Sequence, residues 1–237
     1  MIYGAIVAGG TGTRMNADIP KQFLMLDDRP VLMHTVKKFL SADPVDIIYI
    51  GVHKDWVEET EKMCRDMKYD MKRIRIICGG SNRNDTIDKI IKAIDSENQI
   101  TDDDIIITHD GVRPFISSSE IVESIDKART NCGATLSMPC TDTLLYSENG
   151  NIIDNVPDRS RFYRAVTPQT FNLSLLKKIF DKISAEEKAA YTDVASILTG
   201  AGYSVSLILS NDNNIKITTP KDMKLAQLIC EEEKQND

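Results

Sequence analysis

The sequence has little that would mark a membrane protein, a secreted protein or a zinc protein. No apolar run approaches the roughly 20 residues that a membrane-crossing helix needs. Met1 leads almost directly into the apolar stretch Tyr3–Ala8, without the basic segment and long apolar run of a secretory leader, so no signal peptide is expected. The five cysteines, Cys64, Cys78, Cys132, Cys140 and Cys230, are odd in number and never stand at CxxC spacing. They are expected to be reduced and mostly buried, as in a cytoplasmic protein. His34, His53 and His109 have no nearby ligand partners at zinc spacing. A surplus of positive charge is also missing. The formal net charge of -7 argues against nucleic-acid and anionic-membrane partners, which need a basic footprint. A small anionic ligand is not excluded, because a few local cations outweigh the global field.

What is present is the composition of an ordinary core-forming chain. Its 237 residues, 41% hydrophobic and 27% charged, suit a single α/β domain spanning 1–237. Short apolar runs alternate with helical patterns. Tyr3–Ala8, Asp46–Val52, Arg73–Ile77 and Ile105–Thr108 read as strands, and Pro30–Leu40, Lys54–Met67 and about 118–131 as helices. Ile87, Ile90, Ile91 and Ile94 fall at i, i+3, i+4 and i+7, the spacing of one helix face. This alternation predicts a mostly parallel, Rossmann-like sheet with helices on both faces. Near-continuous apolar strands fit burial on both sides. In such sheets ligands bind beyond the carboxyl ends of the strands. Three loops follow predicted strands and converge there: Gly9–Gly12, Gly79–Asn84 and His109–Pro114.

The pattern changes after Ala134. Thr143–Tyr146 and Ile152–Val156 flank Ser147-Glu148-Asn149-Gly150-Asn151, and Asn-Gly between apolar runs signals a hairpin. A projecting β-hairpin arm is expected at about 141–166. Asp158-Arg159 and Thr167-Pro168-Gln169 then lie around a segment expected to stand away from the main core. Helices near 173–183 and 192–200, strands near 204–209 and 214–218, and a final helix from about Pro220 complete the pattern.

The chemistry-bearing residues gather in the same loops. Ala8-Gly9-Gly10-Thr11-Gly12-Thr13-Arg14 lacks both the P-loop Gly-Lys-Ser/Thr and the dinucleotide fingerprint. Glycines after a first strand still let backbone amides approach a phosphate closely. Arg14 and Lys21 add two cations suited to a triphosphate and to the charge that develops as pyrophosphate leaves; two solvated surface cations are the plainer reading. Asp110, just past a strand, is placed to hold Mg2+ between nucleotide phosphates, or simply to stabilise a turn with Pro114. Arg113 can pair with a substrate phosphate through its planar fork. Gly79–Thr86 precedes a helix and can hold base, ribose or phosphate, or Ser81 or Asn82 can be a plain N-cap. Arg159 is either a surface residue or a phosphate ligand. Lys216, between isoleucines, either snorkels or points a charge into the cleft.

In this order the residues resemble the cytidylyltransferase family that contains methylerythritol-4-phosphate and ribitol-5-phosphate cytidylyltransferases. Ala8–Met15 and Pro20–Phe23 resemble its CTP signature, Gly80–Thr86 its second nucleotide loop and His109–Pro114 its metal and substrate loop. Arg159, Thr167-Pro168-Gln169, Thr192-Asp193 and Asn214–Thr218 follow in the family's order. The resemblance covers nearly the whole chain and implies a cytidylyltransferase that joins CTP to a polyol phosphate with Mg2+. D-ribitol 5-phosphate is the expected acceptor, and 2-C-methyl-D-erythritol 4-phosphate the alternative. It implies transition-state stabilisation by Arg14 and Lys21, and a CTP site of Ala8, Gly9, Gly10, Thr11, Gly12, Gly80, Ser81, Arg83 and Thr86. It further implies Mg2+ and substrate on Asp110, with Arg113, Thr143, Arg159, Thr167, Thr192 and Lys216 around the acceptor. The arm resembles a dimerisation arm, which would carry Arg159 to a neighbouring subunit's site. Ser81, Gly111 and Asn213 depart from the family pattern without removing a proposed catalytic charge. A CTP-binding sensor without catalysis is the reading from a different class. A nicotinamide oxidoreductase would need the fingerprint that is missing.

Overall fold

The computed structural model describes residues 1–10, 15 and 19–236. Its centre is a seven-stranded sheet in the order β5-β4-β1-β6-β8-β7-β9. The strands are β1 (Ile2–Ala8), β4 (Ile47–Val52), β5 (Ile74–Cys78), β6 (Ile105–Asp110), β7 (Gly133–Pro139), β8 (Tyr163–Asn172) and β9 (Ser206–Leu209). β1 pairs in parallel with β4 and β6, and β4 with β5. β8 alone runs antiparallel, to β6 and to β7, while β9 is parallel to β7. A small ribbon of β2 (Met25–Leu26) and β3 (Arg29–Pro30) follows β1 in the chain.

Strand periodicity divides the core. Ile2 and Ile6 of β1 pack on one face with Met33, Val36 and Phe39 of α1 (Val31–Ser41), Cys64 of α2 (Val57–Asp66) and Ile121 and Ile125 of α4 (Ser118–Thr130). Tyr3 and Ala5 face the other way. There they meet Ile87, Ile90, Ile91 and Ile94 of α3 (Arg83–Glu97), Leu176 and Phe180 of α5 (Leu173–Phe180), and Val194 and Leu198 of α7 (Val194–Gly200). The predicted isoleucine stripe is therefore the buried face of α3. A third cluster packs Ala226 and Ile229 of α8 (Pro220–Asn236) on Leu26, Val31 and Phe115.

Three sequence expectations need correction. First, Thr167-Pro168-Gln169 does not stand off the core: β8 lies between β6 and β7, with Val166 to Phe171 buried. Pro168 is tolerated there because the β7–β8 register slips between Thr135 and Ser137, the kind of irregularity that accommodates proline in a sheet. Second, the arm holds no paired strands of its own. One antiparallel bridge, Tyr146 with Asn155, closes a turn in which Asp154 accepts from Glu148 N. Leu145, Ile152, Ile153 and Val156 are exposed with no sheet to pack on, and a lone two-stranded ribbon is marginal without one. The residues from Tyr163 onward belong to the main sheet. Third, 214–218 is not a strand. It runs beside the loop after β6, joined by Ile217 N to Val112 O at 2.9 Å, with Ile217 buried. The short helix α6 (Ala185–Ala190) was not foreseen. All five cysteines are free; Cys64 and Cys230 are buried and Cys78 is exposed.

Candidate active site

The loops after β1, β5 and β6 meet at the carboxyl edge of the sheet, around two adjoining clefts of about 220 and 240 Å³. The first lies between the glycine loops: Ala8, Gly9, Gly10 and Lys21 on one wall, Gly80, Ser81, Arg83 and Thr86 on the other. The second is lined by Arg113, Val166, Thr167, Gln169, Thr192 and Asp193. Arg83, Asp110 and Lys216 line both. Thr11, Gly12 and Arg14 lie outside the described residues.

Asp110 stands at this junction, buried at the end of β6. Arg83 Nε reaches Oδ1 at 3.0 Å, Lys216 Nζ reaches Oδ2 at 2.8 Å, and Arg113 Nε stands 3.7 Å from Oδ2. Burial alone would favour the neutral acid. Arg83, Lys216 and Arg113 together outweigh it and hold the carboxyl far below its usual range. Three cations around one carboxylate make a positive site in an otherwise acidic protein. Arg113, itself buried, donates through Nη1 to Asn214 O at 2.8 Å. Among the described residues, Nη1 and Nη2 of Arg83 and Nε of Arg113 are buried without hydrogen-bond partners. Unmatched donors of this kind are costly, and anionic oxygens would satisfy them.

The loops are fixed by bonds that local sequence does not reveal. Gln22 is buried and donates from Nε2 to Ala8 O at 2.7 Å and Gly10 O at 2.9 Å, so it fixes the first glycine loop. It follows Lys21 in a single 3-10 turn backed by Phe23, which stacks on Trp56 with centroids 4.1 Å apart. In the second loop Gly80 N donates to Thr86 Oγ1 at 2.9 Å, and that hydroxyl donates to Asn82 O at 2.8 Å. Asn82, not Ser81, caps α3, accepting from Asp85 N. Thr86 therefore braces the loop as well as lining the cleft.

His109 is enclosed behind Asp110. Its Nε2 stands 3.1 Å from Arg113 O, which can only accept, so Nε2 carries the proton and Nδ1 accepts from Thr167 Oγ1 at 3.1 Å. Thr167 Oγ1 in turn accepts from Asp110 N at 3.1 Å. Burial pushes the imidazole down to about 4. Thr167 thus lines the second cleft while its hydroxyl holds the loop. Gln169 and Asp193, which also line the second cleft, are joined Nε2 to Oδ2 at 2.9 Å. Lys216 is presented by a stretch that Glu120 anchors, accepting from Ser210 Oγ and Asn211 N. The Ser-x-x-Glu spacing of Ser117 and Glu120, a capping box at the start of α4, was the available signal for that residue.

Thr143 and Arg159 line neither cleft. Both are exposed on the arm, where Arg159 Nη1 donates to Thr141 O at 2.6 Å.

A model of the family IspD, 2-C-methyl-D-erythritol 4-phosphate cytidylyltransferase, matches residues 2–232. The chain belongs to this family. A ribitol-5-phosphate cytidylyltransferase of Streptococcus pneumoniae is 40% identical over 98% of this chain and 100% of that protein. The solved 4-diphosphocytidyl-2C-methyl-D-erythritol synthase of Anaerococcus prevotii superposes with a TM-score of 0.82 at 25% identity, covering 98% of this chain and 96% of that one. The 2-C-methyl-D-erythritol 4-phosphate cytidylyltransferase (IspD) of Francisella tularensis gives 0.79 at 26% identity, over 96% and 98%. The chain is thus an IspD-family cytidylyltransferase, with the α/β sheet expected from its sequence.

Proposed function

We propose that this IspD-family enzyme joins CTP to D-ribitol 5-phosphate, giving CDP-ribitol and pyrophosphate. The observation that carries the reading is the junction: Arg83, Asp110 and Lys216 shared by two adjoining clefts. One cleft takes CTP between the glycine loops, and the other takes the acceptor. An acceptor phosphate oxygen attacks the α-phosphorus of CTP. The bond to the bridging oxygen breaks and pyrophosphate leaves with the electron pair. Positioning and charge stabilisation do the work, with no covalent enzyme intermediate. Lys21, with Arg14, stabilises charge on the triphosphate, and Arg113 and Lys216 orient the acceptor phosphate. Mg2+ is commonly held by one or two carboxylates plus substrate phosphates, and among the described residues Asp110 is the one acidic side chain lining the nucleotide cleft. Its oxygens, engaged by Arg83 and Lys216, would be shared with the ion. When bound, Mg2+ supplies neutralisation of the triphosphate charge.

The 40% relative supports ribitol 5-phosphate as the acceptor. The family's description and the solved neighbours support 2-C-methyl-D-erythritol 4-phosphate as the second reading. Pyrophosphate release with CTP and Mg2+ is to be compared for the two acceptors. Faster release with ribitol 5-phosphate is expected, and the reverse preference would establish the second reading. No release with either, together with retained CTP binding, would support the sensor.

We also propose that the enzyme is a homodimer. The arm exposes Leu145, Ile152, Ile153 and Val156, which a second copy would cover. Arg159 and Thr143, which line neither of their own chain's clefts, would then serve the neighbour's acceptor.

A further inference from the structure

We infer that Asn84 is a positioning residue for the acceptor, acting through the chain segment that forms the outer wall of the second cleft. The inference rests on the assignment of that cleft to the acceptor.

The helix α6 has six residues and no buried side chain. Isolated helices shorter than roughly 12 residues do not hold in water, so contacts from elsewhere must fix it. Asn84, buried in the first turn of α3, supplies them. Its Nδ2 donates to Lys188 O at 2.8 Å and to Tyr191 O at 2.9 Å, satisfying carbonyls at the end of α6 that the helix cannot bond itself. One turn further along α3, Asp88 Oδ2 receives Lys188 Nζ at 3.1 Å, and that ammonium lies 5.2 Å from the centre of the Phe180 ring.

The two residues that follow Tyr191 are Thr192 and Asp193, both in the wall of the second cleft. Asp193 is fixed from the other side by Gln169 and by capping α7. The segment 191–193 is therefore held at both ends, by Asn84 and by Gln169. Asn84 itself touches neither cleft, yet it follows Arg83, which lines both. Placement of the acceptor wall is thus tied to the helix that carries the nucleotide loop. Polyol acceptors differ in where their hydroxyls lie, and discrimination depends on each hydroxyl meeting a correctly placed polar group. Release of this wall blurs that match while leaving the nucleotide loop bonded through Gly80, Asn82 and Thr86.

The test uses Asn84→Asp, which keeps the shape but sets a carboxylate oxygen against two carbonyls, and Asn84→Ala. Steady-state constants are measured for CTP and for each acceptor, with CTP affinity by calorimetry. The acceptor KM is expected to rise about tenfold, and preference between ribitol and methylerythritol phosphates to narrow, with CTP constants within about twofold. An unchanged acceptor KM and preference, or an equal rise in both substrates' constants, would overturn the inference. Lys188→Met, which removes the Asp88 contact from outside both clefts, should shift the acceptor KM in the same direction by less. It decides the matter if the Asn84 variants fail to fold, an unchanged acceptor KM then overturning the inference. A wild-type enzyme inactive with both acceptors would instead overturn the functional assignment.

Discussion

At the scale of single residues, the site concentrates charge that the rest of the chain opposes. Lys21 lines the first cleft, the one proposed for CTP, beside a glycine loop that Gln22 locks in place. Lys21→Ala is expected to lower kcat about a hundredfold or more, the usual loss when a preorganised charge partner of the transition state is removed. Thermal unfolding should be little changed, and normal pyrophosphate release would remove Lys21 from the mechanism. His109 makes a different prediction. The folded chain binds a proton there only near pH 4, because burial opposes the charge, whereas an unperturbed imidazole does so near 6.5. Between these values the unfolded chain binds more protons. The His109 contribution is therefore complete above about pH 6.5 and is lost as pH falls towards 4, to a total of roughly 3 kcal/mol. His34 is also shifted down by burial, so the wild type must be compared with His109→Gln. Urea midpoints at about pH 7 and about pH 5 should converge more in the variant. Parallel losses would show that His109 is not held neutral.

At the scale of elements, the loop that opens α3 leaves no room for a side chain at Gly80. A Cβ there would lie 2.3 Å from Asp85 Oδ2 and 2.7 Å from its backbone carbon. Asp85 also accepts from Ser81 N at 2.7 Å, so its displacement loosens the loop. Gly80→Ala should raise the CTP dissociation constant about tenfold, with a stability loss of roughly 1–3 kcal/mol. Calorimetry that finds CTP binding unchanged would exclude the loop from the nucleotide site. The same scale explains what the sequence made legible. β1, β4 and β6 are buried on both faces, so each is a near-continuous apolar run; β5, at the sheet edge, is mostly half-buried yet still carries Ile74, Ile76 and Ile77. β8 is hidden because it begins with exposed Tyr163 and Arg164 and continues through Thr167, Gln169 and Thr170. Those polar groups are satisfied by His109, Thr135, Asp193 and Ser124, partners that lie on other elements. The glycine loops and Asp110 were legible because residue type and position after a strand suffice. Gln22 and Asn84 were not, since their roles consist of bonds to carbonyls distant in sequence.

At the scale of the whole molecule, the unexplained features are the arm and Arg159. Arg159 is bonded to Thr141 on the arm and lines neither cleft of its own chain. If the arm's exposed apolar residues pack on a second copy, Ile152→Glu combined with Ile153→Glu should yield a monomer by sedimentation. Its CTP affinity should persist while its acceptor KM rises. Arg159→Ala should leave the dimer intact and raise the acceptor KM more than the CTP KM. Service across the interface has a sharper consequence. In a mixed dimer of Lys21→Ala and Arg159→Ala chains, one site combines two defects and the other has an intact Lys21 and a neighbour's intact Arg159. Random reassociation should therefore restore about a quarter of wild-type turnover, since half of the dimers are mixed and half of their sites are whole. Measured at acceptor concentrations below KM, where each variant alone is slow, that recovery would place Arg159 in the partner's site. Activity no greater than the average of the two separate variants would place Arg159 in its own subunit's site, or outside the reaction altogether.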